Sequence, residues 1–166
     1  MSLTVIGSGE HSRVVWDAAN GREDGTHAGF VGQPGTTHRR EFIECTPSKW
    51  ATIVHRSAII SSLAKIGDGV FIGAGAIIQA GAFVGDHCVI NTGAIVEHDC
   101  ILGQGVHMAP RSVIGGGVTV GAWTTIGLGA CVRDHVQIGS GVTIGMGAVV
   151  VNSIANETKV MGVPAK

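Results

Sequence analysis

From Val54 onward an aliphatic residue returns at every sixth position: Val54, Ile60, Ile66, Ile72, Ile78, Val84, Ile90, Val96, Leu102, Met108, Ile114, Val120, Ile126, Val132, Ile138, Ile144 and Val150. The run has no insertion and no slip. Four residues after each comes a small or short-branched one, from Ala58 and Ala64 through Cys88, Cys100, Ser112 and Thr124 to Ile154. Glycine directly follows the aliphatic residue at Gly67, Gly73, Gly85, Gly103, Gly115, Gly121, Gly127, Gly139 and Gly145. A period of six matches neither the 3.6-residue turn of a helix nor the simple alternation of a hairpin strand. It matches a chain wound as a triangular prism, with one hexad per flat face and three per coil. The large aliphatic residue points inward, the small one fills the corner region, and glycine tolerates the tight turn. Backbone N–H and C=O groups then pair between stacked coils. The repeat spans residues 54 to about 155, which predicts between five and six coils and no protruding loop.

The first fifty residues follow a different pattern. Leu3–Ile6 reads as a short apolar strand, Gly7–Glu10 as a glycine-bearing turn, and Ser12–Ala19 as a helix closed by Asn20-Gly21. Strand, glycine turn and helix together place backbone N–H groups where an anion can bind. The third glycine and the distal acid of a dinucleotide fingerprint are missing, so an ordinary βα turn is an equal reading. "AGFVG" (Ala28–Gly32) is a second apolar stretch, and Thr36 or Thr37 could cap a helix running through Cys45. These elements predict a compact βαβα lobe over residues 1–53, joined without a linker to a β-helix domain over 54–166.

Composition narrows the class. The 166 residues include 27 glycines and no tyrosine, 14% are charged, and the formal net charge is −1. There is no concentration of Lys and Arg to hold nucleic acid or an anionic membrane. No apolar run approaches the roughly 18 residues that would span a bilayer, and the N-terminus lacks the shape of a signal peptide. Cys45, Cys88, Cys100 and Cys131 have neither CxxC spacing nor a disulfide framework. Reduced thiols in a cytoplasmic protein are the expectation. Cys88 and Cys100 occupy the small-residue slot and read as packing residues.

Against this apolar background, "AIVEHDCILGQGVHMAP" (94–110) carries Glu97, His98, Asp99 and His107. Imidazole titrates nearest working pH and suits general base chemistry. A carboxylate beside it would stabilise the imidazolium. Adjacent strand residues point to opposite sides, so contact between His98 and Asp99 requires corner geometry. His107 takes the last, outward position of its hexad. His87 and His135 take turn positions and read as surface residues, as does the aromatic Trp123, a cover for either a neighbouring subunit or a ligand. No Ser or Cys shows an evident activating base.

Taken with "VIGSGEHSRVV", "IVHRSAII" and the closing "GVPAK", the run "INTGAIVEHDCILGQGVHMAP" resembles the NeuD/PglD-like sugar acetyltransferases along nearly the whole chain. The resemblance implies a mostly β fold: a left-handed parallel β-helix preceded by a small, truncated α/β Rossmann-like lobe. It also implies a homotrimer binding acetyl-CoA between subunits, with no metal. His98 would be the general base and Asp99 its acidic partner. Asn91, His107, Leu128 and Met146 match coenzyme-contacting positions; Gly9, Glu10, His11 and Gly35 fall on the sugar-binding loops. The acceptor implied is an amino group of a nucleotide-linked amino sugar in surface-glycan biosynthesis, with O-acetylation of a sialic-acid-like sugar as the alternative. The chain departs from the family where "GREDGTHAG" runs almost directly into "FVGQPG". The lobe is shortened by about one strand, and Glu23-Asp24 does not stand where the family's acidic pair would.

Two other classes share the scaffold. A γ-type carbonic anhydrase needs three converging histidines, two of them five residues apart, a spacing that does not occur here. A non-catalytic scaffold remains compatible with the shortened lobe. The nine-residue gap between His98 and His107 puts them on different sides of one prism. That predicts His98 of one subunit facing His107 of its neighbour.

Overall fold

A computed structural model describes residues 11–18, 37–45 and 50–166 of the chain. Two helices, α1 (His11–Ala18) and α2 (Thr37–Cys45), precede eighteen two-residue strands, β1 (Ile53–Val54) to β18 (Lys159–Val160). The strands form three parallel sheets. The first face runs β1-β4-β7-β10-β13-β16-β18, the second β2-β5-β8-β11-β14-β17, and the third β3-β6-β9-β12-β15. Each strand from β1 to β14 pairs with the one three places on, so the chain is a parallel β-solenoid of about six turns. The expected strand at residues 3–6 and the "AGFVG" stretch lie outside the described residues.

The second residue of each strand from β1 to β17 is one of the seventeen six-step aliphatics. From Ile72 to Val150 all of these are buried, at 4% exposure or less, in one continuous core. Val54 departs from the expectation: it lies at the open first coil and is 43% exposed. The small-residue slot is inside too. Cys88, Cys100, Ser112 and Thr124 are buried there and donate to carbonyls of Gly103, Gly115, Ala109 and Gly139. These four buried polar groups are therefore partnered, as a dry core requires. None of the four cysteines is in a disulfide, and burial pushes the Cys88 thiol up to about 12.

The corners correct one sequence expectation. The residue that turns the chain stands three places after the aliphatic, not one. From Gly69 to Gly147 every sixth residue has φ between +56° and +74°. Glycine adopts this region without steric cost. Six corners use another residue: His87, Asp99, Arg111, Trp123, His135 and Glu157. Each of these side chains folds back over a left-handed glycine of the preceding coil, as Trp123 does over Gly105 and His135 over Gly117. The glycines that directly follow the aliphatics serve close approach instead. A Cβ on Gly121 would lie 2.4 Å from the backbone nitrogen of Ser140 in the next coil.

The last coil is two residues short. Ile144 pairs with Val160, sixteen residues away rather than eighteen. The chain then closes on itself through Met161–Lys166 backbone bonds, with Ala165 N–H donating to Val149. Ala165 packs against the core and covers its end.

The helices take the first face. Its outward column reads Ile53, Phe71, Val89, His107, Thr125, Thr143, Lys159. The first three are buried with Val15 and Ala18 of α1, and His107 is half-buried. The following α2 runs along the corner between the third and first faces. Arg39 is buried there and donates to the His87 carbonyl, and desolvation lowers it to about 10. Trp50 meets the His87 ring edge-on at 5.6 Å. His87 is thus 9% exposed, not a surface residue. Burial, followed by the Arg39 charge, depresses its basicity. Trp123 lies beneath Arg40 of α2, with 5.5 Å from the guanidinium to the ring. It therefore covers the chain's own helix.

These corners separate two costs of a side chain. Gly105→Ala meets both the positive φ (+69°) and the Trp123 ring, 2.3 Å from the new Cβ. It should destabilise by about 1–3 kcal/mol. Gly129→Ala shares the backbone conformation (+65°) but meets nothing within 4 Å, and should cost about 1 kcal/mol. Denaturant unfolding of the two variants checks the difference.

Candidate active site

His98 stands at the corner between the second and third faces, after β8 (Ile95–Val96), and Asp99 is the left-handed residue of that corner. The positive φ of Asp99 (58°) turns two successive side chains to the same side. Asp99 Oδ2 accepts a hydrogen bond from His98 Nδ1 at 2.9 Å. Strand geometry would have kept them apart; the corner brings them together. The His98 N–H donates to Glu97 Oε2 at 3.4 Å. The bond to Asp99, with the charges of Asp99 and Glu97 adding, raises His98 above the ordinary imidazole range. With Nδ1–H committed to the carboxylate, the neutral ring carries its lone pair on Nε2. Both side chains are open to solvent, at 60% and 73%.

The other edge of the ring lies against the next coil. A Cβ on Gly116 would fall 2.5 Å from Nε2 and 2.6 Å from Cε1. Gly116 holds the same corner position as His98 one coil later, and Gly117 N–H donates to the His98 carbonyl. Only glycine leaves room for the imidazole there. Gly116 is buried beneath that ring, and its amide N–H has no hydrogen-bond partner among the described residues. Sequence reasoning missed this residue. The signal was the pair Gly116-Gly117 eighteen residues after His98-Asp99.

The remaining site residues fall in two other places. Asn91, Leu128 and Met146 follow β7, β13 and β16, all on the corner between the first and second faces. His107 opens β10 on the first face, next to that corner. Asn91 is 6% exposed and its Oδ1 accepts from the Thr92 N–H at 2.8 Å. Leu128 and Met146 are exposed, at 55% and 80%. Within one chain, then, the Asn91–His107–Leu128–Met146 group and the His98–Asp99 pair flank opposite edges of the second face. Gly9, Glu10 and Gly35 lie outside the described residues, and His11 is described only as the first residue of α1.

One serine does meet an imidazole. Ser57 Oγ lies 2.8 Å from His55 Nδ1, which the sequence gave no sign of. The same Nδ1 accepts the Ser57 N–H at 3.1 Å, and Oγ accepts the Gly75 N–H at 3.1 Å. No carboxylate pairs with His55 among the described residues. The arrangement ties one corner to the next coil. No group of three metal-ligating side chains converges among the described residues.

Comparison with known proteins agrees with the fold. A family model described as the hexapeptide repeat of succinyl-transferase matches residues 64–98. No curated protein matches. The chain is similar to the acetyltransferase domain of PglB from Neisseria gonorrhoeae FA1090, with 33% identity, TM-score 0.90, and 99% of this chain and 98% of that one covered. It is also similar to GDP-perosamine N-acetyltransferase from Caulobacter crescentus, at 31% identity and TM-score 0.92, covering 100% and 96%. That enzyme's structures hold CoA and GDP-perosamine. WeeI from Acinetobacter baumannii AYE shares the fold at 20% identity and TM-score 0.84. The chain belongs to the NeuD/PglD-like family of hexapeptide-repeat sugar acetyltransferases. It is an acyltransferase, and structures of its relatives hold CoA or acetyl-CoA. No described helix is long and apolar enough to cross a membrane.

The pairing of His98 with Asp99 has a direct readout. Asp99→Asn removes the group that raises His98, so the imidazole should lose its proton at lower pH than in the unaltered protein. An NMR titration of the His98 ring measures the shift; an unchanged titration would mean that the bond carries no weight in solution.

Proposed function

We propose that this enzyme acetylates the amino group of a nucleotide-linked amino sugar for surface-glycan assembly, in the cytoplasm, with His98 as general base. The observation that carries the reading is the His98–Asp99 hydrogen bond at an exposed corner, with Nε2 turned over Gly116. Support for the acceptor class comes from the Caulobacter relative, a GDP-perosamine N-acetyltransferase seen with CoA and GDP-perosamine, also in variants with a histidine changed to Ala or Asn.

The chemistry follows from the groups present. The acceptor amine attacks the thioester carbonyl, forming a C–N bond and a tetrahedral oxyanion. Nε2 of His98 takes a proton from the attacking nitrogen, and Asp99 stabilises the imidazolium formed. The N–H of Gly116, beside that ring and without a partner among the described residues, would be the donor to the oxyanion. Collapse breaks the C–S bond, and the departing thiolate recovers the proton from His98. No acyl-enzyme is required.

A trimer supplies the rest of the site. The outward column of the second face is Ile59, Ile77, Ile95, Val113, Cys131 and Val149, and Ile59 is 63% exposed. Packing three such faces around an axis would bury this aliphatic strip. It would also set the His98 corner of one subunit beside the Asn91–Leu128–Met146 corner of the next. In this arrangement Asn91, His107, Leu128 and Met146 line the acetyl-CoA cleft opposite His98. Residues 1–53, with Gly9, Glu10, His11 and Gly35, form the lobe that presents the sugar. The left-handed winding and the Rossmann character of that lobe are assigned from the family.

His98→Ala should lower kcat by about 100- to 10,000-fold while CoA still binds. The assay is acetyl-CoA turnover against a panel of nucleotide amino sugars and sialic acids. Acetyl transfer at the normal rate in that variant would remove His98 from the mechanism. Failure on every acceptor with intact CoA binding would favour the scaffold reading. A second-face variant, Ile95→Arg, should yield monomers by light scattering and lose turnover with them.

A further inference from the structure

The corner that carries His98 holds a second imidazole, and it approaches the same two glycines from the far side. Gly117 N–H donates to the His98 carbonyl, and His135 N–H donates to the Gly116 carbonyl, both at 2.9 Å. The pairs His98-Asp99, Gly116-Gly117 and Asp134-His135 are therefore stacked on three consecutive coils. His98 leans forward over Gly116, with Nε2 2.5 Å from where a Cβ would stand. His135, whose φ is +56°, folds back over Gly117, with Nδ1 at 2.6 Å and Cε1 at 3.0 Å from the equivalent point. The His98–Asp99 contact shows that adjacent side chains at this corner lie on one side of it. The two rings thus converge on a single dipeptide that has no side chains of its own.

Each ring keeps one nitrogen over the glycines and turns the other toward an acid. Asp99 holds the Nδ1 side of His98, and Nε2 lies over Gly116. Asp134 Oδ2 stands 3.9 Å from Nε2 of His135, beyond hydrogen-bond distance, and Nδ1 lies over Gly117. The corner over Gly116-Gly117 therefore presents two ring nitrogens, each an acceptor when unprotonated, on side chains 60% and 77% exposed.

We infer that His135 is a specificity-determining residue that selects an amine over a hydroxyl as the acetyl acceptor, by accepting the second N–H of the attacking nitrogen. The inference rests on the reading of His98 as the base. During attack the nitrogen carries two N–H bonds. One proton passes to His98 and then to the thiolate; the other stays on nitrogen, is held by His135, and remains as the N–H of the product amide. A hydroxyl acceptor has one proton, which goes to His98. Its oxygen would then face the His135 lone pair with nothing to donate. A site built for a donor rejects the analogue that lacks it.

The test compares the best amine acceptor from the panel with the same sugar nucleotide bearing a hydroxyl in place of the amine. His135→Leu should lower kcat/KM for the amine about tenfold, and leave the hydroxyl compound's value within about twofold. His135→Asn, which can still accept a hydrogen bond, should recover most of the amine rate. Unchanged amine-to-hydroxyl selectivity in His135→Leu, alongside an inactive His98→Ala, overturns this inference and leaves the base assignment standing. If no amine acceptor is turned over, or if His98→Ala remains active, the parent reading fails and this one with it. His135 is a solvent-exposed corner residue at positive φ, so His135→Asn should keep the unfolding midpoint and His135→Leu should lower it only slightly. A common fall in both substrates' rates with a lowered midpoint would mark His135 as structural and also overturn the inference.

Discussion

The solenoid's corners share one backbone constraint: from Gly69 to Gly147 the chain enters the left-handed region once in every six residues. An L-residue held there is disfavoured by its own Cβ. Glycine removes the conflict at most corners. Where a larger residue is used, its side chain folds back onto a glycine of the coil before it. A side chain at one corner is thus matched by an empty position beneath it. At a corner, side chains adjacent in sequence can meet at short range, as His98 and Asp99 do. The corners are consequently where chemistry can be assembled.

Function is divided among the three faces by what each presents outward. The first face begins apolar and is covered by α1, then turns polar from Thr125 onward. The second face stays aliphatic along its length. The third mixes Lys65, Phe83, Ile101, Thr119 and Gln137. The inward columns are nearly uniform. Stability is therefore spread evenly through the core, while the outer columns decide where helices dock and where another chain can pack.

Much of this was legible in the sequence because the repeat has a single period and no insertions. All seventeen aliphatic positions became strand residues, and the helix expected through Cys45 ends there. The His98–Asp99 contact could be posed but not settled, since alternation along a strand argues against it and corner geometry argues for it. His87 misled because its corner position is open by pattern, whereas α2 brings a buried Arg39 onto it. Contacts made by a helix forty residues upstream leave no periodic trace. Gly116 was hidden for a different reason. Among 27 glycines, the one that makes room for an imidazole looks like the ones that make room for a turn.

The eighteen-residue coil also acts as a ruler. Adjacent coils are about 4.8 Å apart, and the strands keep a pairing interval of eighteen from β1 to β17. A group on a given corner can move along the axis only in whole coils, because a shift of one residue would turn the aliphatic column outward. Evolution on this scaffold therefore has two separate controls. Point substitution at a corner changes the chemistry without moving it, and duplication or loss of a full coil changes its spacing without altering it. A cleft of intermediate width is not available to the chain alone; it has to come from how two chains are set against each other.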